Sequence, residues 1–220
     1  MEALEKAKAE VLEGCRLIAA RDYVLGAAGN ISARAAGSDL VVITPAGGHL
    51  GEMREQDLVV VDLEGRKKEG AGAPSSEWPI HREIYRHRKE LTAVVHTHSL
   101  YATAASSLER LQQIPVIDIE MVLHMGGDIR VAPFELPGSE ELARSATVFL
   151  GDRMCALLAH HGNVCVGRSM KQAVNCCDNL ERSCEMYFAI LSAGQTVSPI
   201  PQEYLQKAVK VFRQKQLGEG

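Results

Sequence analysis

Thr92-Ala-Val-Val-His-Thr-His-Ser99 decides how this chain is read, because a β-branched run typical of a strand carries two histidines two residues apart. Side chains alternate faces along a strand, so His96 and His98 point the same way at a separation that lets both grip one ion. A third histidine comes from Leu157-Leu-Ala-His-His-Gly-Asn163, a second apolar strand ending in a glycine turn. His160 and His161 are adjacent there and face opposite ways, so only one can join the pair, and His161 is the expected one. A lone histidine in an apolar run is more often a hydrogen-bonded core residue than a ligand. Three on two apolar strands each need a polar partner, and one metal ion supplies it to all of them. Three neutral imidazoles leave a zinc ion one position for water or substrate. Cys165 is no substitute, lying roughly 13 Å from His161 at strand rise.

The rest of the composition fits an ordinary soluble globular protein. At 220 residues, with 46% hydrophobic and 24% charged residues and a mean hydropathy of −0.07, the chain suffices for one sizeable core, and residues 1–220 read as a single domain. The net charge of −4, with Lys and Arg scattered, argues against nucleic acid as a partner. The densest basic run, Arg86-His-Arg-Lys89, reads as the solvated end of a helix. No apolar run reaches membrane-spanning length, and Met1-Glu-Ala-Leu4 opens a charged amphipathic helix rather than a signal peptide. No membrane partner and a cytoplasmic location are expected. The six cysteines form no C-x-x-C pair and fall in apolar strands or on one helix, so reduced, buried thiols are expected.

Periodicity and turn residues divide the chain. Leu4, Val11, Cys15 and Ile18 mark one face of an opening helix that ends before Tyr23. Gly26 to Ser32 reads as a small-residue turn, and Asp39–Thr44 and Leu58–Leu63 as strands. Ser75-Ser-Glu-Trp-Pro79 predicts a helix to about Arg88, with serine at its cap and proline in its first turn. After the two-histidine strand come a short helix from about Leu100 and strands at Val116–Ile119 and Ile129–Ala132, flanking an irregular Gly126-Gly127. Ser139 caps a helix to about Leu150. Ser169-Met-Lys-Gln172 has the capping-box pattern and opens a helix that stops at Gly194. A last helix spans roughly Gln202 to Gln216. Helices interspersed with hairpin-like strand pairs, without regular βαβ alternation, predict an α/β sandwich whose central sheet is largely antiparallel and flanked by helices.

Five motifs then converge. Gly29-Asn-Ile-Ser32, Ile43-Thr-Pro-Ala-Gly47, Pro74-Ser-Ser-Glu-Trp78, Val95-His-Thr-His98 and His160-His-Gly162 occur in the order and approximate spacing of the class II aldolase/adducin family, which the chain resembles from about Leu4 to about Gly194. The resemblance is greatest to the branch acting on L-fuculose 1-phosphate. It implies a Zn2+-dependent lyase, one ion per chain, although another divalent metal is possible. It also implies a homotetramer with interfacial active sites that cleaves a sugar phosphate to dihydroxyacetone phosphate and an aldehyde. Position by position, His96, His98 and His161 match the metal ligands. Glu77 matches the acid/base residue, which can also touch the metal when substrate is absent. Gly29, Asn30, Ala46, Gly47, Ser75 and Ser76 match the phosphate-binding elements, where small residues and backbone amides at a helix N-terminus favour an anion. Each has a plainer reading: Glu77 as an acid favoured by a helix dipole, the serines as caps. His81, one turn after Glu77, either orients it or packs.

Two departures concern the substrate's far end. Glu120 stands where the fuculose branch carries a catalytic tyrosine, and Phe212-Arg-Gln-Lys-Gln216 lacks the tyrosine expected near the C-terminus. Ala46 also replaces a hydroxyl residue. Glu120 resembles the acid found in aldolases of 5-deoxy- or 5-methylthioribulose 1-phosphate, and in methylthioribulose-1-phosphate dehydratases. These activities stand as alternatives to cleavage of L-fuculose 1-phosphate. The alternative outside catalysis is an adducin-like scaffold, which calls for a degraded metal site, whereas the three histidines and Glu77 are all present.

Overall fold

A computed structural model of the chain describes residues 1–217. In chain order the elements are α1 (Glu2–Ala19), β1 (Asn30–Arg34), β2 (Leu40–Ile43), β3 (Val59–Asp62), β4 (Lys67–Glu69), α2 (Trp78–His87), β5 (Ala93–Thr97), α3 (Leu100–Ser106), β6 (Gln113–Ile114), β7 (Ile129–Ala132), α4 (Glu140–Leu150), β8 (Cys155–Leu158), β9 (Gly162–Gly167), α5 (Met170–Ser192) and α6 (Gln202–Leu217). The strands form one sheet in the order β4-β3-β2-β1-β5-β9-β8-β7-β6, antiparallel at every pairing except β7 with β8. This is the largely antiparallel, helix-flanked α/β architecture expected from the sequence.

Both faces of the sheet are covered, so its central strands β3, β5, β8 and β9 are buried at every residue. Such strands carry continuous apolar runs instead of simple alternation. The register separates two faces. Ile31 lies opposite Val95, which lies opposite Cys165, and this row packs under α1 and α5. Ser32 lies opposite Val94, and Asn30 opposite His96; Ser32 is hydrogen-bonded to His81 and Tyr85 of α2, which places this row under α2. The core therefore sits on both sides of β1, β5 and β9, and the functional residues gather at one end of those strands.

Several local expectations are corrected. Residues 26–32 are not all turn: the turn ends at Gly29, and Asn30–Arg34 is a strand, because its backbone pairs with both β2 and β5. Residues 116–119 form no strand; the Val116 carbonyl accepts from Ile200 N (2.8 Å), and the strand beside β7 is the two-residue β6. The short strand β4 carries three exposed charged residues and no apolar signal. The helix expected from Ser75 starts at Trp78, with Glu77 at its N-cap position and a proline in the first turn. His160 and His161 lie between β8 and β9 rather than on a strand, and His160 adopts a left-handed φ of 56°. Ser139 and Ser169 cap their helices as expected, accepting from Leu142 N and Gln172 N. All six cysteines are buried and unpaired by disulfide.

Candidate active site

The two-histidine strand ends one residue earlier than expected. His96 is on β5, whereas His98 follows it, its N–H donating to the Tyr23 carbonyl (3.1 Å). The next helix begins at Leu100 and is pinned by Glu181 of α5, which accepts from Tyr101 N (2.7 Å) and Ala102 N (2.9 Å). His161 enters from the β8–β9 turn. Gly162 closes that turn at φ 137°, and a Cβ there would overlap the Thr97 carbonyl and crowd the His98 ring. Gly29, at φ 78°, makes a similar approach: its missing Cβ would lie 2.8 Å from the His96 carbonyl. Only glycine at these two positions lets the loops close on the histidines.

The three imidazoles form a near-equilateral triangle, with ring centroids 4.9–5.0 Å apart. Glu77 completes the group, and one ligand atom from each of Glu77, His96, His98 and His161 lies within 4.8 Å of every other. His96 Nε2 is 3.0 Å from His98 Nε2 and 3.0 Å from Glu77 Oε2, while His161 Nε2 is 3.3 Å from Glu77 Oε1. His96 Nδ1 donates to the Asn163 carbonyl (2.8 Å), which turns its Nε2 inward. Such an outer hydrogen bond is the usual orienting device for a ligating histidine.

This donor set fits a divalent cation. Glu77 Oε1 is buried and makes no hydrogen bond despite the nearby His161 ring, an arrangement that is costly in protein alone and natural beside a cation. Burial pushes His98 down to about 4 and, with the neighbouring His96 charge, lowers His161, so both present the neutral, lone-pair form. Burial acts to raise the Glu77 carboxyl, but the His96 charge and hydrogen bonds from His96 and Asn30 outweigh it and hold the group well below the usual carboxylate range. His96 is itself raised, against burial, by the Glu77 carboxylate. A proton and a cation thus compete for the same nitrogen.

The residues expected to bind phosphate divide into two groups. Ala46-Gly47 and Ser75-Ser76 are held side by side by Ala46 N to Ala73 O (3.0 Å) and Ser75 N to Thr44 O (3.0 Å). Ala46, Gly47 and Ser76 are exposed, whereas the buried Ser75 hydroxyl accepts from Glu77 N (3.2 Å). Gly138, from the loop before α4, packs its backbone against the Ser76 carbonyl. The Asn30 side chain is hydrogen-bonded beside the histidines: its Nδ2 donates to Glu77 Oε2 (3.1 Å), and its Oδ1 accepts from His81 (2.5 Å). Gly29 acts in backing the His96 strand. Glu120 is not brought to the cluster. It begins a single π-helical turn, Met121–Met125, where its carboxylate pairs with His124 (3.0 Å), which in turn accepts from Asn175 (2.8 Å). Sequence reading passed over Asn163, Ser32, Tyr85 and Glu181, although the polar pair Asn30 and Ser32, two apart on a buried strand, is itself a signal.

Residues 9–188 match the family model described as the Class II Aldolase and Adducin N-terminal domain. The chain is 32% identical over 203 residues to the 5-methylthioribulose-1-phosphate/5-deoxyribulose-1-phosphate aldolase of Rhodospirillum rubrum, covering 92% of this chain and 89% of that one. It is 31% identical over 209 residues to the 5-deoxy-D-ribulose 1-phosphate aldolase of Bacillus thuringiensis, covering 95% and 96%. Among solved structures it superposes on an L-fuculose 1-phosphate aldolase with a TM-score of 0.87 at 29% identity, covering 94% and 96%. The chain belongs to the class II aldolase/adducin family. It is an aldehyde-lyase of the metal-dependent class, and it carries a His/Glu cluster that could hold a metal ion.

Proposed function

We propose that residues 1–220 act as one domain cleaving a deoxyketose 1-phosphate, of the 5-deoxypentulose or fuculose type, to dihydroxyacetone phosphate and an aldehyde. The observation that carries this reading is the convergence of Glu77 with His96, His98 and His161, a carboxylate set against three imidazole nitrogens. Zinc suits a three-histidine set with an open position, and such an ion supplies a Lewis acid that stabilises negative charge developing on a carbonyl oxygen. The chain's own residues do the rest. Exposed Ala46-Gly47 and Ser76, next to the start of α2, offer backbone and hydroxyl donors to the phosphate, which orients the ketose. As the C3–C4 bond breaks, the C4 hydroxyl gives up its proton to become the aldehyde, the bond's electron pair moves to C3, and Glu77, whose resting carboxylate must first take a proton from solvent, delivers that proton there.

Glu120 is the proposed base for the C4 hydroxyl. Within one chain it is half-exposed and apart from the cluster, so this role calls for a second copy placing it across the site, in a cyclic homotetramer. The 5-deoxypentulose substrates are favoured over fuculose by Glu120 and by the names of the Rhodospirillum and Bacillus relatives. The test is incubation with 5-deoxyribulose 1-phosphate, methylthioribulose 1-phosphate and fuculose 1-phosphate, following triose phosphate through an NADH-linked reductase. Release of dihydroxyacetone phosphate is expected. A diketone phosphate without triose phosphate means dehydration and overturns the aldolase assignment for this substrate class.

A further inference from the structure

Behind Glu77 lies a chain of buried polar groups that no metal or substrate role requires. His81 is fully buried on α2 and bonded at both nitrogens: Nε2 to Asn30 Oδ1 (2.5 Å) and Nδ1 to Ser32 Oγ (2.7 Å). Ser32 Oγ lies 2.9 Å from the hydroxyl of Tyr85, also fully buried. Asn30 Nδ2 closes the series on Glu77 Oε2 (3.1 Å). The direction of every hydrogen bond can be deduced. An ionised carboxylate only accepts, so the Asn30 amide nitrogen must face Glu77 and its oxygen must face His81. That oxygen also only accepts, so His81 carries its proton on Nε2. A neutral ring then accepts at Nδ1, so Ser32 donates to it, and the Tyr85 hydroxyl is left to donate, shared between Ser32 Oγ and the Ser32 carbonyl (3.2 Å).

We propose that His81 is a positioning residue: by donating to Asn30 it locks the amide, so that Glu77 Oε2 is held as an acceptor and Oε1 is the oxygen left to move the proton. Oε1 makes no hydrogen bond, whereas Oε2 has Asn30, so the two oxygens are not equivalent. Without the His81 donor the amide is free to rotate, offering Glu77 an oxygen instead of a proton and turning the carboxylate from its working orientation. A filler of volume cannot replace this; a side chain that donates at the Nε2 position can.

The inference rests on the proposed role of Glu77, and its test keeps the two apart. The zinc-loaded protein is assayed for exchange of the C3 proton of dihydroxyacetone phosphate with solvent deuterium. His81→Leu is expected to lower kcat for exchange about 10- to 100-fold, the range typical of residues behind a metal site. Its KM and zinc content should stay close to wild type, and His81→Gln, which retains an N–H donor, should recover most of the rate. A His81→Leu protein with a full rate, or Leu and Gln variants losing rate and metal equally, overturns the proposal. Should His81→Leu fail to fold, nitrogen-15 spectra of the wild-type imidazoles decide it without any mutation. The protonated-Nε2 tautomer of His81 is expected, and the protonated-Nδ1 tautomer refutes the network. If the wild type exchanges no proton, the reading of Glu77 fails, while the tautomer still decides how Asn30 is held.

Discussion

His98 and Glu77 differ in what they owe to the metal, and mutation should separate them. His98 is one of three imidazoles with an inward nitrogen, so His98→Ala leaves too few ligands to hold the ion. Metal analysis should find it largely empty, with activity lost and the circular dichroism spectrum intact. Glu77→Gln keeps the three histidines and should keep metal, yet removes the group that moves the proton, a loss of about 10²- to 10⁴-fold. Normal deuterium exchange in a metal-replete Glu77→Gln protein would end the proton-transfer assignment. At this scale the sequence was informative: the i, i+2 histidines, the His160-His161 run and the motif carrying Glu77 named all four residues that the fold brings within 4.8 Å of one another. It left open how the Asn30 side chain is held, because a motif match says nothing about which neighbour an amide will face. That depends on α2 lying over β1, with His81 waiting at hydrogen-bond distance.

Elements matter here chiefly through their ends. Three of the four cluster residues lie at or beyond the end of an element: Glu77 before α2, His98 after β5, and His161 before β9. Turns therefore set the geometry, and glycine sets the turns. Gly162→Ala is expected to be severe, since it combines φ 137° with overlap onto the Thr97 carbonyl and the His98 ring. Gly37, at φ 68° with nothing within 4 Å of a built Cβ, is the control. Its alanine variant should cost only the left-handed penalty of about 1–2 kcal/mol. Denaturant unfolding of both, with metal titration, checks this; equal stabilities and equal metal affinities would show that the close approach at Gly162 does not shape the site. Element boundaries were legible where a side chain announced them, as Ser139 and Ser169 did. Strand β1 was hidden behind small residues, since its pairing with β2 and β5 is a long-range choice that local propensity does not encode.

For the whole molecule, burial of a histidine couples stability to acid. His81 is pushed down to about 3 by burial and the His96 charge, against an ordinary value of 6.5. Below pH 6.5 the unfolded chain takes up a proton that the native state refuses, so stability falls as pH drops from about 6.5 toward 3, by at most about 1.4 kcal/mol per unit from this group. Denaturant midpoints of metal-free protein between pH 7 and 5 should show the fall, and it should be shallower in His81→Gln. Superimposable profiles would remove His81 as the source. Assembly supplies the second prediction at this scale. Glu77→Gln and Glu120→Gln proteins, each inactive alone, should regain part of the activity when unfolded together and refolded, because mixed oligomers contain some sites with both wild-type groups. No recovery, with mixed oligomers demonstrated by mass, would place both groups in one chain's site or remove Glu120 from the chemistry. The sequence by itself determined the fold class, the histidines of the cluster and the family chemistry, because strand alternation, capping residues and ordered motifs are local and survive in one dimension. Only the tertiary structure decided which atoms face one another: that Asn30 serves Glu77, that Asn163 orients His96, and that Glu120 stands apart. Those relations arise from strand register and from helix α2 packed across the sheet, which bring residues dozens of positions apart to within 3 Å or so of each other.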